Sequence, residues 1–153
     1  MNLLSLNVNG LGRGDFKSKW VKNVIVSNTI DFAGLQETKK KTFSDMMLKE
    51  IWGSHDFDAI YQESIGQGGG LLCIWNKNLF LKSQATVRND CIMIKGTWLE
   101  TNEEISIFNI YGSQNPDIRK DLCFFISAYL QSWKGKTIIF GDFNEVRSEK
   151  ERR

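Results

Sequence analysis

The stretch 137-TIIFGDFNEV-146 changes character within a few residues. Thr137 to Phe140 is β-branched and aromatic, the composition of a buried strand. Gly141-Asp142-Phe143-Asn144 then halts it with turn chemistry. An acid and an amide placed there lie at the rim of a packed sheet. Rigid backbone holds them while solvent reaches them, which is where functional groups are best supported.

Outward from this stretch the same event recurs. Leu3 to Val8 reads as a short buried strand that carries Asn7 at its end, followed by Asn9-Gly10 and a glycine-rich turn through Gly14. Ile30 to Leu35 is a second apolar strand, cut off by Gln36-Glu37-Thr38. Ile105 to Tyr111 is a third, closed by Tyr111 itself. Further strands are expected at Ala59 to Tyr61, Leu71 to Trp75 and Ile92 to Trp98.

Helices are expected in between. Phe16, Trp20, Val24 and Ile25 recur at helical spacing up to about Ser27. Thr42 with Asp45 has the form of a capping box, opening a helix with Phe43, Met47 and Ile51 on one face. Asn115 offers an N-cap and Pro116 an N1 residue for a helix striped by Ile118, Leu122, Ile126, Tyr129 and Trp133. Strands and helices mingle without strict alternation, which predicts an α/β sandwich with a mixed sheet rather than a doubly wound parallel one.

Bulk properties fit one ordinary domain spanning 1–153, with 41% hydrophobic and 25% charged residues. The net charge of +2, from 20 basic and 18 acidic residues, neither announces nor excludes a nucleic-acid partner. Cys73, Cys91 and Cys123 lie far apart in apolar runs and are expected to be reduced, buried thiols. One histidine and no CxxC pair argue against zinc. No signal-peptide pattern and no membrane-length apolar window are seen, so a soluble, intracellular chain without a membrane partner is expected.

Asn7, Glu37, Tyr111, Asp142 and Asn144 thus form a recurring set at strand ends. Each has a plain explanation alone: a turn asparagine, a surface acid beside Lys39, Lys40 and Lys41, a rim tyrosine, turn residues. Jointly, two acids plus amide oxygens make a hard donor set that suits magnesium. Gly66-Gln67-Gly68-Gly69-Gly70 lacks the Gly-Lys-Ser/Thr ending of a nucleotide loop and runs into a strand, so a hairpin or loop is expected there. Lys17, Lys19 and Lys22 are expected on a solvated helix face, His55 in a loop, and the tryptophans mostly in the core.

SLNVNGL at 5–11, LQET at 35–38, NIYGSQ at 109–114 and GDFNEV at 141–146 resemble, in order, the motifs of the endonuclease/exonuclease/phosphatase superfamily. The wording is most similar to the endonuclease domains of plant LINE-type non-LTR retrotransposon proteins. The resemblance implies a deoxyribonuclease-I-like four-layer sandwich with mixed β-sheet and flanking helices. It also implies Mg2+ (or Mn2+ in its place) held by Glu37 with Asn7. Asp142 would orient or deprotonate the attacking water, while Asn144 and Tyr111 would donate to the phosphate. Gln114 would contact substrate, although Ser113-Gln114 replaces the Pro-Asn of many members, and Asn9 stands where apurinic endonucleases often carry an acid.

The implied activity is nicking of DNA through its phosphate backbone, without an organic cofactor. The alternatives are an inactive retroelement relic that binds metal or nucleic acid weakly, or a phosphatase of the same superfamily. The family continues past GDxN to a Ser-Asp-His motif, whereas this sequence ends at Glu151-Arg152-Arg153. The expectation is an incomplete domain with impaired hydrolysis and an exposed sheet edge open to self-association. A nucleus is implied by the resemblance alone.

Overall fold

A computed structural model describes residues 1–12, 15–66 and 68–144. Arg13-Gly14 of the first turn, Gln67 of the glycine loop and Glu145-Val146 of the last motif lie outside the described residues, as does everything after them.

Eleven elements follow in chain order: β1 (Leu3–Asn7), α1 (Asp15–Ser27), β2 (Phe32–Gln36), α2 (Asp45–Trp52), β3 (Phe57–Gln62), β4 (Leu71–Asn76), β5 (Phe80–Val87), β6 (Cys91–Trp98), β7 (Glu103–Tyr111), α3 (Pro116–Ser132) and β8 (Lys136–Asp142). They form two four-stranded sheets, ordered β1-β2-β4-β3 and β5-β6-β7-β8. In each sheet one pair is parallel, β1 with β2 and β7 with β8, and the other pairings are antiparallel. Parallel neighbours need a long crossover. Here α1 joins β1 to β2 and α3 joins β7 to β8, so each parallel pair ends on the same side as its partner.

Strand alternation sorts the side chains into three cores. In β4, buried from Leu71 to Trp75, Leu72 and Ile74 face α1 and α2, while Leu71, Cys73 and Trp75 face the opposite sheet. In β7, Ile105 and Ile107 point between the sheets, and Phe108 and Ile110 point to α3. The result is helix, sheet, sheet, helix: the four-layer sandwich expected. Phe32, stacked on Trp75 at 5.4 Å between ring centroids and edge-on to Phe80 and Phe140, anchors the inter-sheet core.

Several local expectations are corrected. The N-cap of α2 is Ser44, whose hydroxyl accepts from the Met47 backbone N–H, and not Thr42. The apolar stripe of α1 is Val21 and Ile25, while Phe16 and Trp20 face outward. Helix packing sets that face, and two exposed aromatics happened to share the spacing. Likewise Ile118 on α3 is exposed and Leu122 carries the contact. β5 escaped notice because its pattern is broken by Lys82, Ser83 and Gln84 at a register shift against β6. β8 is only partly covered, since among the described residues it pairs on one side alone and exposes Ile139. No helix among the described residues is long and apolar enough to cross a membrane.

Cys73 and Cys91 are buried as expected, but Cys123 on α3 is exposed. Burial pushes both inner thiols up to about 12, well above their ordinary value near 9. In the native chain one thiol is therefore expected to react rapidly with Ellman's reagent, and Cys123→Ser to abolish that phase. The folded-state values exceed the unfolded ones, so the stability from keeping these thiols neutral is complete below about pH 9 and lost as pH rises through about 12. Urea midpoints measured across this window should fall less steeply in a Cys73→Ala/Cys91→Ala chain; an equal slope would refute the assignment.

Candidate active site

Period-two alternation does more than build the core. On β1 the inward positions are Leu3, Ser5 and Asn7; on β2 they are Phe32, Gly34 and Gln36. On β7 they continue from Ile107 to Asn109 and Tyr111, and on β8 from Phe140 to Asp142. The space between the sheets therefore grades from aromatic to amide to acid as it approaches the carboxyl ends of the two parallel pairs. Asn7 and Gln36 are register partners, as are Tyr111 and Asp142.

The first polar layer is closed. Asn109, fully buried, accepts from Gln36 Nε2 at 2.6 Å through its Oδ1. Its Nδ2 donates across the sandwich to the Leu35 and Leu72 carbonyls at 3.3 and 3.1 Å. Gln36 Nε2 also donates to the Gly34 carbonyl and the Ser5 hydroxyl. Buried amides satisfied this way fix one arrangement of the two sheets, because every alternative leaves polar groups unpaired.

The second layer is open. Asn7 Nδ2 donates to Glu37 Oε1 at 2.9 Å and to Asp142 Oδ2 at 3.0 Å, across 30 and 135 positions of chain. Asn7 Oδ1 accepts from the Asn9 backbone N–H at 3.0 Å. The other Asp142 oxygen accepts from the Asn144 backbone N–H at 2.9 Å. Asn144 Nδ2 donates to the Gly112 carbonyl, and its Oδ1 accepts from Gln114 Nε2 at 3.1 Å. All six residues expected from the sequence are thus brought together, with Gln114 attached through Asn144.

Backbone strain gathers at the same place. Asn9, Glu37, Lys39 and Asn144 all have positive φ, between 44° and 53°. Such conformations cost roughly 1 kcal/mol or more outside glycine and persist where surrounding structure enforces them. Glu37 is turned back over the strand ends in this way. Gly141 is irreplaceable for a related reason: at φ 135°, a Cβ would lie 2.0 Å from the Ile110 carbonyl oxygen.

Tyr111 faces the acids from the end of β7, opposite Asp142 on β8. Burial, then the carboxylates of Glu37 and Asp142, hold this phenol above its ordinary value, so it remains a proton donor. Lys39 Nζ stands 3.8 Å from Glu37 Oε2 and donates to Asn9 Oδ1 at 2.5 Å. Among the described residues it is the only cation paired with either acid, so the cluster keeps an excess of negative charge. Lys17 is not on a merely solvated face: its ammonium donates to the Val8 and Asn9 carbonyls.

An all-oxygen donor set with two acids and surplus negative charge fits a hard divalent cation such as Mg2+, which needs only one or two protein carboxylates. No group of three or more His, Cys, Asp or Glu stands together among the described residues. Softer, protein-caged metals are a poor match for these side chains.

The profile of the Endonuclease/Exonuclease/phosphatase family matches residues 4–153. The chain belongs to that family. Its fold is similar to truncated Caenorhabditis elegans TDP2 (TM-score 0.70, 18% identity, covering 98% of this chain and 64% of that one). It is similar too to the 3′-5′ exonuclease NExo of Neisseria meningitidis (0.72, 17%, 97% and 60%). The Neisseria 3′ phosphatase NExo bound to a product DNA hairpin gives 0.69, 16%, 95% and 59%. At these identities the likeness shows the deoxyribonuclease-I-like fold. The family chain described here spans roughly three fifths of the length of these structures. No curated protein matches its sequence.

Sequence reasoning passed over Gln36 and Asn109. The available signal was parity: each is an amide at an inward position of an otherwise apolar strand. Replacing Asn109 with Leu would remove the acceptor for Gln36 Nε2 and the cross-sheet donor to the Leu35 and Leu72 carbonyls, which keep their bonds within the β2–β4 ladder. A loss of about 2 kcal/mol in urea unfolding is expected. A loss below about 1 kcal/mol would mean that the polar layer does not hold the sheets.

Proposed function

We propose that this chain carries a magnesium-dependent centre for phosphodiester hydrolysis, and that it serves the DNA-nicking endonuclease of a plant LINE-type non-LTR retrotransposon. The observation that carries the reading is the amide of Asn7 donating to Glu37 and Asp142 together. No need of the fold explains two nearly uncompensated acids sharing one donor at an open rim, whereas cation-assisted attack on a phosphate requires such a pair. The wording of the four motifs supports the retrotransposon assignment, and the DNA bound by one structural neighbour supports the polymer class.

Glu37 would hold the cation, joined by the side-chain oxygen of Asn7 once that amide turns over from the Asn9 N–H it now accepts, and the bound cation would offset charge developing on the phosphate. Asp142 has both oxygens engaged by N–H donors, which hold its carboxylate in one orientation. Each oxygen keeps a lone pair, and Asp142 can take the proton of an attacking water. The Tyr111 phenol, kept protonated by burial and the neighbouring acids, donates to a phosphate oxygen. Asn144 adds a neutral amide that brings no repelling charge, and Gln114 steadies it.

Relaxation of supercoiled plasmid in Mg2+, blocked by EDTA, is the direct measurement. Glu37→Gln and Asp142→Asn are each expected to slow nicking about 10²–10⁴-fold, and Tyr111→Phe less. Nicking by the parent chain no faster than by the double variant would end the proposal.

A further inference from the structure

α1 turns one face to the core and a different one to solvent. Val21 and Ile25 are buried, while Phe16 and Trp20, one turn apart on the opposite side, are 84% and 46% exposed. Two large rings held side by side in water add little to the core. From Phe16 to Ser27 the helix also carries Lys17, Lys19 and Lys22 and no acid.

Phe16 is part of the wall of a cavity of about 590 Å³, together with Lys17, Lys39 and Lys40. The cavity reaches the acid rim: Asn9 on its wall donates through its backbone N–H to Asn7, and Lys39 stands 3.8 Å from Glu37. Its positive charge is not cancelled in place. Lys17 Nζ donates to the Val8 and Asn9 carbonyls and Lys40 Nζ to the Gly12 carbonyl, all neutral oxygens. An ammonium has three N–H groups, so each keeps a donor for a ligand. Of the three lysines only Lys39 approaches a carboxylate among the described residues, and no acid stands among those that line the wall. Arg88 is the contrast, since Asp90 and Asp121 offset its charge directly.

Uncompensated ammonium groups beside an exposed aromatic pair suit a ligand that repeats anions and flat rings. A polynucleotide strand is such a ligand, with phosphates for the lysines and bases that stack on aromatic side chains. A duplex keeps its bases inside and could use the lysines alone. We propose that the outer face of α1 and the cavity beneath it bind single-stranded polynucleotide that runs onto the acid rim. Lys17 and Lys40 take backbone phosphates beside the scissile one, and Phe16 and Trp20 stack the unpaired bases. The inference rests on the phosphodiester reading of the acid cluster and narrows its substrate to strands unpaired on this side of the cut.

Fluorescence anisotropy on the full chain in EDTA compares labelled oligothymidylate with the same strand annealed to oligodeoxyadenylate. The single strand is expected to bind about tenfold tighter, although the duplex carries the denser charge. Phe16→Ala and Trp20→Ala should each weaken single-strand binding about tenfold and leave duplex binding unchanged, while Phe16→Trp retains it. Trp20 is the most exposed tryptophan, so the bound strand should quench tryptophan emission, and Trp20→Phe should remove most of that quench while keeping the affinity. Lys40→Gln should make the logarithmic salt dependence shallower by about 0.7. Duplex bound as tightly as single strand by the wild-type chain, or single-strand affinity unmoved in both alanine variants, would overturn the inference. So would a dimer in sedimentation velocity that Phe16→Ala dissolves and the single strand leaves intact. The wild-type comparison decides even where a variant misfolds. Plasmid nicking in Mg2+ separates the two ideas: nicking without strand preference removes this inference alone, and strand preference without nicking removes the hydrolytic reading alone.

Discussion

The structure turns on one buried amide. Asn109 reaches from β7 across the sandwich to the carbonyls of Leu35 and Leu72 while accepting from Gln36. Apolar surfaces alone would let two sheets slide, because burial is non-directional. Four hydrogen-bonding groups that must meet in a region without water do not permit sliding. Gly34 makes the approach possible: a Cβ there would stand 2.9 Å from the Asn109 side-chain amide carbon and 2.1 Å from the Phe140 ring. A residue with no side chain on β2 and a short amide on β7 thus determine how the sheets meet, directly beneath the acids.

Topology then carries that alignment upward. In each sheet a helical crossover makes the parallel pair end on a common side, β1 with β2 and β7 with β8. The two outer members, β1 and β8, are each paired on one side only among the described residues. Asn7 and Asp142 sit at their ends, and Glu37 is bent toward them by a left-handed turn. Residues 135 positions apart become hydrogen-bond partners because strand ends, not sequence neighbours, are what the sandwich brings together.

Much of this was legible in the residues, and the parts that were not share a cause. The breaks in apolar strands at Asn7, Glu37, Tyr111 and Asp142 are local signals, and strand alternation converts them into a rim. The mixed sandwich followed from strands and helices that do not alternate. What escaped was whatever depends on the partner surface. Phe16 and Trp20 have the spacing of a buried stripe, yet Val21 and Ile25 meet the sheet. Ser44 caps α2 in place of Thr42 because the cap is decided by where the backbone leaves the helix. Asn109 looked like one polar interruption in NIYGSQ, and only the facing strand shows what it binds. Cys123 lies in an apolar run but on the outer side of α3, a distinction that needs the helix's orientation.

The same contrast separates the two polar layers. In the lower one both amides are engaged within the protein, and it serves the fold. In the upper one, two acids share a single amide, a phenol is held protonated between them, and four residues without glycine's freedom hold positive φ. A chain selected for stability alone would not keep that arrangement, since neutralising either acid would relieve repulsion and relaxing Glu37 would relieve strain. Its presence directly above an internally bonded layer is intelligible if the missing favourable interaction comes from outside the protein. A cation would supply the opposite charge that this rim lacks, and a phosphate an oxygen for the Tyr111 phenol to donate to.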